Sequence, residues 1–338
     1  MKTTITGLLM LMAFAGQAQQ KPHYTQYVLN QYIINPAITG IENYTDLKLS
    51  HRQQWVGIND APATTYFTIH APLGKQDYRT TATSYGMKGE NTRGKSYWEE
   101  YGAAIPHHGI GFQLINDKTG PISTVTASFT YAYHLGLTPR MSLSGGFGLG
   151  VSRLQLDQSK LDFGSGSIDP AVSGNTAFQK LKPDISAGLY LYSSDFFVGL
   201  SAQQIVPAQY SFSNGAIATQ GNKTVPHIFV VGGYRLGVGE DFNLMPSVLV
   251  KYISPLPMQV DLNLKLMYQD RAWIGGSFRK EDGFAGMIGL NVSNTFNVGY
   301  SYDYTTSGLR SYTKGTHEIM IGFLIGNRYG DSCPRNLW

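Results

Sequence analysis

Between about Tyr44 and Gly326 the chain repeats one pattern, short segments of alternating apolar and polar residues separated by turn residues. Consecutive side chains of a strand point to opposite faces, so a period of two marks strands. The segment Met141 to Arg153 shows it best. Met141, Leu143, Phe147, Leu149 and Val151 fall on one face, and Ser142, Ser144, Gly146, Gly148, Gly150 and Ser152 on the other. One face suits lipid and the other a polar or tightly packed lumen, the division of labour in a membrane-spanning β-barrel.

The same alternation recurs elsewhere. Val125, Ala127, Phe129, Tyr131 and Tyr133 oppose Thr124, Thr126, Ser128 and Thr130; Val260, Leu262, Leu264 and Leu266 oppose Gln259, Asp261, Asn263 and Lys265. Phe296, Val298, Tyr300 and Tyr302 oppose Asn297, Gly299, Ser301 and Asp303. Alternation and turn punctuation predict strands over 44–54, 62–72, 109–116, 122–136, 140–155, 184–192, 195–204, 226–237, 241–254, 258–268, 271–280, 284–291, 295–304 and 315–326. That makes fourteen, an even number, as a single-chain outer-membrane barrel requires. A soluble β-sandwich also alternates, but strands of about 9–11 residues match a tilted membrane crossing, and many strand ends carry Tyr, Phe or Trp as an interfacial girdle requires.

Loop lengths agree. With an upward first strand, the turns 136–140, 193–194, 238–240, 269–270 and 292–294 fall on the periplasmic side and are short, whereas the outward loops 156–183, 205–225 and 305–314 are longer. One segment breaks this rule. Residues 73–108, polar and of mixed charge, are assigned to the periplasm and predict a large feature there.

The N-terminus reads as a signal peptide over 1–18: Lys2, a short apolar core from Ile5 to Phe14, and the small-x-small site Gly16-Gln17-Ala18. No later stretch approaches the roughly 18 apolar residues of a transmembrane helix. With 39 glycines, 22 tyrosines and 14% charged residues, the composition points to close-packed β structure, and a net charge of +4 gives no argument for nucleic acid. Cys333 is the single cysteine. It cannot staple the fold alone; a partly buried structural thiol is weighed against an intermolecular disulfide or lipidation.

Residues 19–43 precede the barrel, which is placed at 44–326 with a periplasmic tail over 327–338. Tyr24, Tyr27, Val28, Gln31 and Tyr32 recur at helix-like spacing before Asn35-Pro36. A short helix or turn inside the barrel mouth would bury that face, as a fixed lumen plug carrying Tyr24, Tyr27 and Tyr32 or as a movable gate.

Catalytic chemistry finds no foothold. Neither a Gly-x-Ser-x-Gly elbow nor an HExxH zinc helix occurs, and the sequence offers no cofactor or metal site. His107 and His108 are adjacent on an extended segment and point apart, which argues against shared metal ligation and predicts exposure to solvent. His134 is expected as a lumenal hydrogen-bonding residue. The run Gly145 to Gly150 lies within a strand, so its glycines serve barrel curvature or close approach of the plug rather than phosphate binding. Asn116, Asp117 and Gly120 read as turn formers. Arg52 and Trp55 stand out as a partner-binding or structural motif. Arg52 can pair with a carboxylate, with Asp261, Lys265 and Asp303 as its candidate network, and Trp55 can anchor to the interface or to a partner.

His23-Tyr24-Thr25-Gln26-Tyr27, Asn30-Gln31 and Ile34-Asn35-Pro36-Ala37 resemble the N-terminal signature of the PorP/SprF family of type IX secretion outer-membrane proteins. Arg52 to Gly57, Ala61-Pro62, His70-Ala71-Pro72, Gly109 to Phe112 and Asn116 to Pro121 are similar to its following blocks. Pro246 to Tyr252, Gln259 to Asn263, Gly299 to Tyr304, His317 to Met320 and Cys333-Pro334-Arg335 continue the likeness in order. The resemblance implies a non-enzymatic outer-membrane protein of a Gram-negative bacterium, with a role in protein secretion and gliding motility. It also implies partners: secreted, adhesin-like cargo with a C-terminal sorting domain at the outer loops, and periplasmic secretion components through residues 73–108. A diffusion or hydrophobic-ligand channel is the alternative, and an outer-membrane hydrolase a third reading without a placed acid, base and nucleophile.

Overall fold

A computed structural model describes residues 24–75, 102–161, 178–207, 209–210, 222–239, 241–269, 271–280, 282–293 and 295–327. The expected signal peptide, the middle of the 73–108 segment, parts of the loops 156–183 and 205–225, and Cys333 with most of the tail lie outside them.

Alternating sequence becomes fourteen antiparallel strands. They are β1 (Thr45–Gln53), β2 (Ala63–Leu73), β3 (His107–Thr119), β4 (Ile122–Thr138), β5 (Met141–Leu156), β6 (Phe178–Ser193) and β7 (Phe196–Gln203). Then come β8 (His227–Tyr234, continued by Leu236–Val238), β9 (Phe242–Ile253), β10 (Gln259–Tyr268), β11 (Ala272–Arg279), β12 (Gly283–Asn291), β13 (Phe296–Thr305) and β14 (Thr316–Ile325). Each pairs with its sequence neighbours, and β1 pairs with β14 from Thr45↔Ile325 to Gln53↔His317, closing the sheet. The expected fourteen-stranded barrel is borne out. A two-residue ribbon, Gln209–Tyr210 with Asn222–Lys223, adds to the loop after β7.

The faces divide as alternation requires. Phe129 is 71% exposed and Leu149 53%, whereas Ser144 is 1% and Lys265 2% exposed. An apolar exterior around polar inward positions is the inverse of a soluble protein and suits hydrocarbon.

Two strands outrun their expected ends by three residues or more. β3 continues to Thr119, leaving Gly120-Pro121 as the turn, with φ +58° at Gly120. β6 begins at Phe178 rather than 184, because Lys180, Lys182 and Pro183 mask the alternation. Proline is confined to edges of a ladder, and Pro183 lies beyond Ala187, the first residue of β6 registered with β7.

Residues Tyr24 to Ile41 run through the lumen, buried along most of their length. They form three 3-10 turns, Thr25–Val28, Gln31–Ile33 and Pro36–Ile38, rather than one helix. Wall side chains claim the carbonyls a helix would need: Gln113 donates to Tyr32 O at 2.8 Å, Gln203 to Ile33 O at 2.9 Å and Ser201 to Ile34 O at 2.6 Å. Asn35 caps the third turn by accepting from the Ala37 amide at 2.9 Å, with Pro36 at its first position.

Two wall glycines meet the backbone of this segment directly. A Cβ at Gly146 would lie 2.6 Å from Pro36 O, and one at Gly109 would run into the Thr39 carbonyl. Close approach to the lumen segment therefore explains Gly146 within the 145–150 run.

Candidate functional site

The lumen segment is held at both ends, by different chemistry. At the loop end, β1 and β14 put Arg52 and Glu318 directly opposite each other. Across the sheet β10 and β11 do the same for Asp261 and Arg279. Asp303 of β13 joins the pairs: its Oδ2 lies 2.7 Å from Arg52 Nη2 and 3.1 Å from Arg279 Nη1. Arg279 reaches past β12 because that strand presents only Gly283 and Ala285 in register between them. Arg52 Nη1 contacts Glu318 at 3.1 Å and Arg279 Nε contacts Asp261 at 3.3 Å.

All five groups are buried, and four of them, Arg52, Arg279, Asp303 and Glu318, converge on Thr25. Its hydroxyl donates to Asp303 at 2.6 Å and accepts from Arg52 at 2.6 Å and Arg279 at 2.7 Å. Its amide donates to Glu318 at 2.9 Å, and the Gln26 side chain donates to Glu318 O at 2.8 Å. Each of the two cations and three carboxylates contacts a group of opposite charge, the condition under which such a cluster is tolerable in a low-dielectric interior.

Of the expected residues, Arg52, Asp303 and Asp261 therefore share one network. Asp261 reaches Arg52 only through Arg279 and Asp303. Lys265 belongs elsewhere, with Nζ 5.5 Å from the Trp273 ring centroid. Glu318 and Arg279 went unnoticed in sequence: both are inward polar positions of otherwise apolar strands, a signal that marks the lumen without choosing partners.

Trp55 sits outside this cluster. It is half-buried at the loop-side rim with φ +45°, and its amide donates to Thr316 Oγ1 at 3.1 Å. Val56 and residues 314–315 exchange backbone bonds of 2.9 and 2.7 Å, so the β1–β2 and β13–β14 loops are zipped together there. Asp117 is a correction: it is a β3 wall residue accepting from Thr64 Oγ1 at 2.7 Å, not a turn former, because the strand runs on past it.

Tyr24, Tyr27 and Tyr32 all pack inside. Tyr24 meets Tyr66 edge-on at 5.3 Å, Tyr27 bonds Asn263, and Tyr32 bonds Thr130 at 2.5 Å while packing on His70.

At the turn end, histidines replace arginines. His134 takes the expected lumenal role, with Nε2 2.8 Å from Thr39 O and Nδ1 3.0 Å from Tyr192 OH. His107 is a correction: it is 1% exposed, stacked on His134 at 4.5 Å, with Nε2 3.0 Å from Gly40 O. It faces inward because β3 already begins at His107, in register with the inward His134, and the residues before it are seated on the next turn, the Ala103 amide donating to Pro139 O at 2.8 Å. His108 points away, as expected, and bonds Tyr131 on the exterior at 2.6 Å.

Among the described residues no cluster of histidine, cysteine or carboxylate groups could hold a metal ion. The arrangement fastens a chain inside a pore.

A closed antiparallel barrel with an apolar exterior and a polar interior defines an outer-membrane β-barrel protein, and that membrane is where this one resides. Residues 16–323 match the family described as type IX secretion system membrane protein PorP/SprF, and the chain belongs to that family.

No curated protein matches the chain. Among solved structures it is similar to the CymD monoaromatic hydrocarbon channel, with 11% identity over 93% of this chain and 96% of that one and a TM-score of 0.49. It is also similar to the Acinetobacter baumannii outer membrane protein Omp33, with 8% identity over 85% and 100% of the two chains and a TM-score of 0.46. The Ralstonia pickettii toluene transporter TbuX gives 9% identity over 86% and 92%, with a TM-score of 0.46.

Proposed function

We propose that this barrel is a non-enzymatic docking component of type IX secretion. Its outer loops hold secreted, adhesin-like cargo with a C-terminal sorting domain, and the turn-side segment 73–108 contacts periplasmic secretion components. The observation that carries this reading is the lumen segment. Tyr24 to Ile41 is bonded to walls all round the barrel, to Thr68, Thr130, Leu189, Ser201, Asn263 and Glu318 among others, so the interior is occupied by the chain itself. A barrel filled in this way offers its two faces rather than its bore.

The zipped outer rim supports the same reading. Trp55 stands half-buried beside the Val56 to Gly315 ribbon, with Tyr312 74% exposed on the same loop pair. Rigid aromatic side chains on a fixed backbone suit partner binding, because little entropy is lost on docking.

The test is a mild-detergent pull-down of the tagged full-length protein from its own envelope, with protein identification. Recovery of a large protein with a C-terminal sorting domain, or of secretion-core components, supports docking. Recovery of the barrel alone, together with measurable conductance in planar bilayers, overturns it in favour of a diffusion or hydrophobic-ligand channel.

A further inference from the structure

The segment that leaves the barrel after β2 and returns at β3 has two roots, Leu73–Lys75 and Gly102–His107. Both reach the same place. Lys75 Nζ donates to Ile41 O at 2.9 Å, and His107 Nε2 lies 3.0 Å from the preceding carbonyl, Gly40 O. His70 Nδ1 accepts from the Gly40 amide at 3.1 Å, and His134 Nε2 lies 2.8 Å from Thr39 O. Four side chains thus hold three successive peptide groups at the turn-side end of the lumen segment.

These holds differ from those deeper inside. Thr130, Gln113, Ser144, Ser201 and Gln203 lie within strands whose ladder bonds fix them. Lys75 lies beyond the last residue of β2, so its position depends on the first root, and His107, registered with His134, opens β3 where the second root joins it. The second root has a seat of its own: Ala103 donates to Pro139 O at 2.8 Å and Ala104 to Ser142 Oγ at 3.0 Å.

We infer that Lys75 and His107 form a latch: the roots of the turn-side segment clamp the Gly40 and Ile41 carbonyls, so their position sets whether that end of the lumen segment stays docked. The loop end does not share this dependence, because Thr25 is held by side chains of β1, β11, β13 and β14. Opening is therefore confined to the turn-side mouth, where freed carbonyls meet water and lose little by exchanging one hydrogen bond for another. The inference needs no partner and stands apart from the docking reading.

The test uses the full-length barrel in micelles with Cys333→Ser and a single reporter thiol, Ile41→Cys or, as the interior control, Ile33→Cys. Lys75→Met and His107→Phe together remove both donors while keeping length and the ring stacked on His134. The expected result is at least tenfold faster reaction of the residue-41 thiol with a bulky maleimide, with the residue-33 thiol unchanged. An unchanged rate at 41, or an equal rise at both, overturns the latch. If the double variant yields no heat-modifiable barrel, hydrogen exchange on the unaltered protein decides. Joint, faster exchange of the Gly40, Ala103 and Ala104 amides than of Ile33 and Ile34 supports the latch. Gly40 protection equal to that of Ile33 and Ile34 overturns it.

Discussion

Arg52 and Glu318 face each other across the β1–β14 seam, 3.1 Å apart and buried, so the step that closes the barrel also forms an ion pair. The same two side chains bind Thr25. Closure and capture of the lumen segment are one structural event.

Removing one partner leaves the other charge buried, which costs about 3–5 kcal/mol. Arg52→Met is expected to lower stability by that amount in urea unfolding of the micellar barrel. Pairing it with Glu318→Met is expected to lose less than the sum of the single losses, because no orphaned carboxylate remains. Strictly additive losses would mean that the two charges are uncoupled.

Neighbouring glycines of β5 make a sharper contrast. A side chain at Gly146 meets Pro36 O at 2.6 Å, whereas a Cβ at Gly145 meets only Leu189 at 3.5 Å. Gly146→Val is expected to cost about 1–3 kcal/mol or more by overpacking, and Gly145→Ala to leave the thermal midpoint nearly unchanged. Equal midpoints for the two variants would remove the lumen segment as the reason for Gly146.

Conductance reads the lumen directly. The intact barrel is expected to be nearly silent in planar bilayers, and a chain lacking 24–41 to show open events. Steady conductance from the intact protein would contradict a filled bore.

Trp55 holds φ at +45°, a conformation that costs a non-glycine residue about 1–2 kcal/mol. Trp55→Gly is expected to keep or raise the unfolding midpoint while weakening cargo capture in the pull-down. Undiminished capture would leave the indole with no role at the rim.

In the outer loop after β5, the Ser159 hydroxyl and amide hold the Asp157 carboxyl below its ordinary value of 3.8. A lowered value means the stabilisation is present above the unfolded value and is lost as pH falls through the folded one. Exchange of the Ser159 amide, corrected for intrinsic rate, is expected to quicken only below about pH 4. A quickening that begins near neutrality would point to another group.

The barrel was legible from alternation alone. Side chains alternate with a period of two whatever a strand packs against, so Val260 to Leu266 and Phe296 to Tyr302 declared both their faces, and hence strand number and lipid side, without tertiary information. Lysine and proline hid the start of β6 because the pattern is carried by apolar residues, and Lys180, Lys182 and Pro183 interrupt them. The order of its motifs likewise carried the family.

The partnerships came from the closed fold. Arg52 and Glu318 are 266 residues apart, and nothing local states that the first strand pairs with the last or in which register. Arg279 finds Asp303 through the space left by Gly283 and Ala285, a fact about β12 lying between them. His107 read as exposed from its neighbours, yet is buried because β3 begins there and its register sets the ring against His134 and Gly40. Periodicity fixes which way a side chain points; what it meets there depends on chain closure, which brings distant segments to one place.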